Sequence, residues 1–231
     1  MTVATIDRVV RSREALLEAL DSAPAVDLSF LAQVPSDDGW ASAPDLLRLL
    51  HALVHALQPR HVLEFGSGVS TAVLAHAAAE RGDCAVTSVD HDPRFFSATQ
   101  DLLGGSTAVS LQLAPLVARV HAGQLGPSYL VDSSLFASSR PADLVLVDGP
   151  PQVLGGRSTM LPVALDYAQC GSVVLFDDAD RDGERDALAS WEKVLGAAVE
   201  VHRPAGFTRG LAAVILVAPR TAQIRLAPKR T

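Results

Sequence analysis

Five short apolar runs, each stopping in polar or glycine residues, dominate the chain after residue 60: HVLEFGSG, AVTSVDHD, AVSLQLAP, DLVLVDGPP and SVVLFDDAD. Segments of helical composition, STAVLAHAAAER, PRFFSATQDLL and TMLPVALDYAQ, lie between them. Strands without a polar face need cover on both sides, and strands alternating with helices need crossover connections. Together these features predict an α/β fold with a doubly wound, mostly parallel sheet. Two last apolar runs, AAVEVHRP and GLAAVILVAP, are separated only by AGFTR, too short for a parallel crossover. They predict an antiparallel hairpin at the sheet edge, which brings the sheet to seven strands.

Ahead of the sheet, apolar positions at Val9, Val10, Leu16, Leu17 and Leu20 predict a helix from about Ile6 to Leu20. The stretch SAPAVDLSFLAQVPSDDGWASAP is broken by Pro, Gly and Asp and reads as a connector or short lid, so residues 1–41 form an N-terminal appendage. Ser42, Ala43 and Pro44 open a second helix with Leu46, Leu50, Leu53 and Leu57 along one face, and Pro59 ends it. Residues 220–231 read as a frayed basic tail carrying Arg225, Lys229 and Arg230.

Composition narrows the function classes. Of 231 residues 48% are hydrophobic, enough for a packed core, and 19 basic against 26 acidic side chains give a net charge of −7. That balance argues against gripping nucleic acid or an anionic membrane through bulk charge. No apolar run approaches the roughly 20 residues needed to span a bilayer. The N-terminus carries Arg and Glu where a secretion signal needs an apolar stretch. Cys84 and Cys170 have neither metal-ligand nor redox spacing. A soluble cytoplasmic protein without disulfides is the expectation.

The most informative segment is Val62-Leu63-Glu64-Phe65-Gly66-Ser67-Gly68-Val69-Ser70-Thr71, a strand turning on two glycines into an Ala-rich helix. Glycines there let backbone approach a ligand, and the helix start offers free N–H groups. A dinucleotide fingerprint wants a third glycine where Thr71 stands. Glu64, at the strand tip, is repulsive toward a pyrophosphate but attractive toward a ligand carrying an ammonium and a sulfonium, as S-adenosylmethionine does. Asp90 ends the next strand roughly 20–25 residues past the glycines, the spacing at which an acid reaches ribose hydroxyls. The two acids favour the sulfonium donor over NAD.

On these segments the chain resembles the class I S-adenosylmethionine-dependent methyltransferases. LEFGSGVST is similar to their first motif, with Ser70 in place of a third glycine, SVDHDPR to the ribose-binding strand end, and DLVLVDGPP and VVLFDD to the fourth and fifth strand ends. The likeness spans roughly residues 42 to 218 and implies a Rossmann-like donor-binding domain over 42–219, with the terminal hairpin as its sheet edge. It implies that Glu64, Gly66, Ser67, Gly68, Ser70 and Thr71 form the cradle for the methionine part. Asp90 would take the ribose diol, His91 would neighbour the adenine, and Asp148 would stand at the donor's edge. Ala114-Pro115 offers no acid for the adenine amino group.

Asp148 at the end of strand four, with Asp177 and Asp178 at the end of strand five, places three carboxylates where the methyl group is presented. Two readings stay open. The three bind Mg2+ or another divalent cation, which orients paired hydroxyls of the acceptor and lowers a pKa, a layout similar to that of metal-dependent O-methyltransferases. GPPQVLGGR does not match the residues those enzymes carry after the strand-four acid. Alternatively, Asp148 or Asp177 acts as general base. Asp178, Asp180 and Asp182 with Arg181 and Arg185 are also compatible with a solvated loop. Arg157, on a Pro- and Gly-rich loop at the same face, either neutralises an anionic group, pairs with an aspartate, or is an ordinary surface residue.

Several side chains are left without an assignment. His51, His55 and His61 read as surface or core-edge histidines. Phe30 and Trp40 suit either a lid over the acceptor or packing on the core, and Tyr129 and Phe136, in the long segment between strands three and four, share that ambiguity. The function expected is methyl transfer to a small-molecule acceptor, at a hydroxyl because the DGPP strand end lacks an asparagine-proline amino-methylation motif. An N-methyltransferase of the same fold and a non-catalytic donor-binding module are the alternatives. Self-association as a homodimer, through the N-terminal helices or the sheet-edge hairpin, is one arrangement the pattern allows.

Overall fold

The computed structural model describes residues 1–31, 41–121, 124–131 and 141–218. Trp40, Phe136, Arg225, Lys229 and Arg230 lie outside the described residues. Helices α1 (Val3–Ser22) and α2 (Pro44–Leu57) lead into β1 (His61–Phe65), α3 (Val69–Arg81), β2 (Ala85–Asp90), α4 (Pro93–Leu103) and β3 (Val109–Leu113). A hairpin of β4 (Leu116–His121) and β5 (Gln124–Tyr129) follows, then β6 (Ala142–Val147), α5 (Met160–Asp166) and β7 (Ala168–Asp177). Helix α6 (Asp182–Leu195), β8 (Val199–His202) and β9 (Leu211–Leu216) complete the order.

The sheet has seven strands in the order β3-β2-β1-β6-β7-β9-β8. All neighbours from β3 through β7 run parallel, and β9 pairs antiparallel with both β7 and β8. The expected α/β architecture and its terminal hairpin are therefore present, with β9 inserted between β7 and β8. Strand order reverses between β1 and β6, which opens a crevice at their carboxyl ends.

Period-two alternation explains the two buried faces. Val62, Leu144, Leu146, Val173 and Leu175 pack with Leu16, Leu46, Leu50, Leu53 and Leu74 of α1, α2 and α3. Their chain neighbours Leu63, Phe65, Val145, Val147, Val174 and Phe176 point the other way, toward Met160, Leu161, Leu188 and Trp191 of α5 and α6. Helix α1 is also tied to the sheet by polar contacts, Ser12 Oγ donating to the Gly171 carbonyl at 2.5 Å and Arg13 pairing with Glu200.

Two elements depart from expectation. The acidic stretch after β7 is only partly the solvated loop expected: Asp180, Arg181 and Asp182 are exposed, but Asp178 is buried and Asp182 opens α6, which holds its place through Leu188, Trp191 and Leu195. The segment between β3 and β6 contains the β4–β5 hairpin, in which Pro127 lies opposite Ala118 in a ladder that has no further partner strand among the described residues.

Candidate active site

The crevice is built from backbone that must approach closely. Gly66 has φ +98°, and a Cβ there would come within 3.0 Å of the Asp148 carbonyl carbon and 3.1 Å of the Gly149 nitrogen. The turns after β1 and β6 are thus in direct contact, held by Asp148 N donating to Phe65 O at 2.9 Å. Gly68 is different. Its backbone is extended, and a Cβ would meet nothing within 4 Å, so it borders open space. Only Gly66 is demanded by conformation; Gly68 keeps the approach to the turn clear.

Glu64 is fully buried under this turn. Its Oε2 accepts from Thr71 Oγ1 at 2.5 Å and Ser88 Oγ at 2.6 Å, while Thr71 Oγ1 itself accepts from Gly68 N at 2.9 Å. Thr71 therefore closes the start of α3 and links it to Glu64, which is why a third glycine would be a loss here. Glu64 Oε1 has no hydrogen-bond partner. Burial pushes the Glu64 carboxyl up to about 7, against the pull of Ser70, Ser88 and Thr71, with the Asp90 charge adding to the rise. A buried acid with one orphan oxygen fits a ligand that brings a cation, such as an amino-acid ammonium.

Asp90 braces the same turn. Its Oδ2 accepts from Ser67 N at 2.7 Å and Ser67 Oγ at 3.2 Å, and its Oδ1 accepts from Asp92 N at 2.8 Å. A carboxylate has about four lone-pair sites, so it can still accept from a ligand diol. His91 Nδ1 lies 3.4 Å from Asp90, and the His91 ring meets Tyr129 edge-on at 5.9 Å. Tyr129, on β5, is 2% exposed, its hydroxyl has no partner, and it crowds Gly149 so closely that a Cβ there would overlap it. The sequence left Tyr129 ambiguous because nothing predicted the hairpin that delivers it; its buried orphan hydroxyl makes it part of the site.

Arg157 is a buried residue, not a surface one, and it organises the acids. Its guanidinium donates to Asp148 O at 2.7 Å, Asp148 Oδ1 at 2.9 Å and the Asp177 carbonyl, and pairs with Asp178 at 2.8 Å. Burial works against its charge, but Asp148, Asp178, Asp177 and Glu184 together outweigh that effect and hold the group charged. Asp148 and Asp177 are both pushed well above the ordinary carboxylate range, first by burial. Arg157 and Ser42 oppose the rise at Asp148 while Asp178 and Glu64 add to it; at Asp177 the charges of Asp148 and Asp178 add to it, with Arg157 opposing. Ser42 Oγ donates to Asp148 Oδ2 at 3.0 Å, so the start of α2 also reaches the site.

The three carboxylates approach within 4.8 Å of one another, which is a metal-ligand spacing. Some of their oxygens are engaged, Asp148 by Arg157 and Ser42 and Asp178 Oδ2 by Arg157, while Asp178 Oδ1 lies 3.0 Å from Arg181 but has no hydrogen-bond partner. Asp177 Oδ2 has no hydrogen-bond partner. A divalent ion bound by all three acids would share them with a guanidinium that already bridges both strand ends.

Two predictions follow from this electrostatic arrangement. Removing one partner of a buried charge network costs about 3–5 kcal/mol, so Arg157→Met should destabilise by that amount in urea unfolding; a change within the scatter of surface variants would refute the bracing role. Because the folded state raises the Glu64 pKa to about 7 from 4.5, it binds the proton more tightly than the unfolded chain. Ligand-free stability should then fall as pH rises from about 4.5 to 7, by on the order of 3 kcal/mol from this group, and Glu64→Gln should flatten that fall. Parallel pH profiles for parent and variant would contradict it.

Residues 63–179, just over half of the chain, match the family model described as Methyltransferase domain. No curated protein matches the sequence. Among solved structures, cofactor-bound Rv0187 from MTB is 20% identical with a TM-score of 0.59, covering 89% of this chain and 91% of that one. The O-methyltransferase TomG from Streptomyces achromogenes, in complex with SAM, is 19% identical with a TM-score of 0.56, over 89% and 90%. An O-methyltransferase from Bacillus cereus in complex with SAH is 18% identical with a TM-score of 0.56, over 88% and 90%. With its sheet order, its glycine turn over a buried acid and this family match, the chain belongs to the class I S-adenosylmethionine-dependent methyltransferases.

Proposed function

We propose that this protein moves a methyl group from S-adenosylmethionine to a hydroxyl oxygen of a small-molecule acceptor, with Asp148 as general base and no metal ion. The observation that carries this reading is the placement of Asp148. Its carboxyl has a raised pKa, it packs directly against the Gly66 turn, and its side chain is 16% exposed against 3% for Asp178. It is the carboxylate of the cluster that an acceptor can reach. Names of similar structures add support for oxygen as the accepting atom.

The donor supplies an electrophilic methyl group on a sulfonium. Glu64 answers the ammonium of the donor's amino-acid end, whose positive charge offsets the burial that otherwise protonates this acid. The backbone of Gly66, Ser67 and Gly68 and the start of α3 at Ser70 and Thr71 frame that end, and Asp90 accepts from the ribose hydroxyls. His91 and Tyr129 wall the same side. Asp148 accepts the acceptor's hydroxyl proton as the oxygen takes the methyl carbon, and the C–S bond breaks with its electron pair leaving on sulfur. Arg157 keeps the Asp148 carboxylate oriented. Asp177 is a positioning group that shares the cluster's proton. Alignment in a dry crevice, together with one proton transfer, is what the reaction requires of the protein.

Asp148→Asn should lower kcat by about 10²–10⁴-fold with S-adenosylhomocysteine affinity largely retained, whereas Glu64→Ala and Asp90→Ala should each weaken that affinity by on the order of 1–3 kcal/mol. Calorimetry and initial rates on a panel of hydroxylated acceptors separate the two effects; full turnover by Asp148→Asn would exclude it as the base. The acid limb of kcat/KM should lie well above the pKa of about 3.9 of an ordinary Asp and be broader than one ionisation, because two acids titrate together. In Asp177→Asn it should narrow to a single step. An unchanged limb in that variant would remove Asp177 from the proton balance.

A further inference from the structure

Behind the glycine turn, on the outer side of α2 and α3, lies a second group of ligating side chains. His51 and His55 stand four residues apart on α2, and His76 and Glu80 stand four apart on α3, so each pair shares one helix face. The two faces meet. His51 Nε2 lies 2.8 Å and His55 Nε2 3.0 Å from Glu80 Oε2, and His76 Nε2 lies 3.4 Å from Glu80 Oε1. The ligating atoms of His51, His76 and Glu80 all fall within 4.8 Å of one another.

We propose that His51, His76 and Glu80, with His55 hydrogen-bonded to Glu80 beside them, form a site for one borderline divalent ion such as Zn2+, joining α2 to α3. Zinc–nitrogen bonds of about 2.0–2.1 Å in a tetrahedron place neighbouring ligand atoms about 3.3 Å apart; His76 Nε2 lies 3.4 Å from Glu80 Oε1, and all three ligating atoms fall within 4.8 Å of one another. Imidazole and carboxylate donors suit Zn2+ and its neighbours, whereas Mg2+ and Ca2+ prefer all-oxygen sets. An ion-pair role explains the cluster poorly. Charging all three imidazoles would leave a mutually repelling excess of positive charge around one carboxylate, whereas neutral His51 and His55 can hydrogen-bond to Glu80 Oε2. Three neutral imidazoles around an ion have no such conflict, and binding releases whatever protons the ring nitrogens facing Glu80 carry.

The surroundings favour a defined geometry. The Phe30 ring stacks on His76 at 4.0 Å with an interplanar angle of 20°, which fixes that imidazole and covers one side. His51 is 16% exposed and the other three side chains are about 42–43% exposed, so solvent and an ion can enter. Both helices belong to the core layer behind β1, and α3 begins at the glycine turn, so an ion here would brace the scaffold of the donor crevice from outside. The proposal is independent of the acceptor and of the role of Asp148.

The test is calorimetric titration of ZnCl2 into the untagged, chelator-stripped full chain, with Co2+ absorption as a geometric readout. We expect one saturable site per chain, with the d–d bands of tetrahedral Co2+. Outer-shell changes alone weaken metal sites by about 10–100-fold, so His51→Gln/His76→Gln and Glu80→Gln should lose at least that much affinity. Asp177→Asn should bind as the parent does, placing the ion away from the aspartate cluster. Zn2+ should also raise the parent's Tm and not that of the His51→Gln/His76→Gln variant, whose metal-free unfolding curve confirms that it is folded. Absence of a saturable site, unchanged affinity in the histidine variant, or loss of the site in Asp177→Asn would each overturn the proposal.

Discussion

The buried guanidinium of Arg157 is the interaction on which the crevice depends. One side chain joins the ends of β6 and β7 by donating to the carbonyls of Asp148 and Asp177, and balances the Asp148 and Asp178 carboxylates. Without a fixed cation, three acids on two adjacent parallel strands would repel one another in a medium that screens charge weakly. Arg157 is carried by the Pro- and Gly-rich loop after β6, and its own backbone N–H donates to Glu184 of α6 at 3.3 Å. The helix that follows β7 therefore helps hold the arginine that holds β7. The site and the second face of the sheet form one structure.

This arrangement explains why two acids with raised pKa values can coexist beside the glycine turn. Burial and neighbouring carboxylates favour protons on Asp148 and Asp177, and Arg157 limits the rise, which is what the proposed role of Asp148 as a base requires. Glu64 follows a related logic on the donor side: a buried carboxyl that is costly while empty-handed becomes favourable once a cation answers it. On the proposed donor reading, stability of the free protein is exchanged for recognition of a charged ligand, as functional sites commonly do.

Much of this was legible in the sequence, for identifiable reasons. Continuous apolar runs such as LVLV and VVLF declare strands buried on both faces, and the five-residue gap AGFTR leaves the last pair no course but antiparallel. Glycine turn and strand-end acids are local signals, and the structure brings Glu64, Gly66, Ser67, Asp90 and Asp148 together around one crevice. What escaped were long-range outcomes. Helix α6 has three apolar anchors, Leu188, Trp191 and Leu195, behind a charged first turn whose Asp182 and Arg185 are also compatible with a loop. The β4–β5 hairpin contains Pro127 and Gly126, which dilute its strand pattern, and Tyr129 arrives at the site only through it. Burial of Arg157 depends on three acids from two strands, and convergence of His51, His55 and His76 on Glu80 depends on how two helices pack; spacing along the chain encodes neither.

The most direct test of the central claim is calorimetric titration of S-adenosylhomocysteine into the parent protein held in excess chelator. A donor site built from Glu64, the glycine turn and Asp90, with Arg157 in place of a metal ion at the neighbouring acids, predicts saturable binding at one site per chain that added Mg2+ leaves unchanged. Absence of binding by folded protein, or binding that appears only when Mg2+ is restored, would contradict the account.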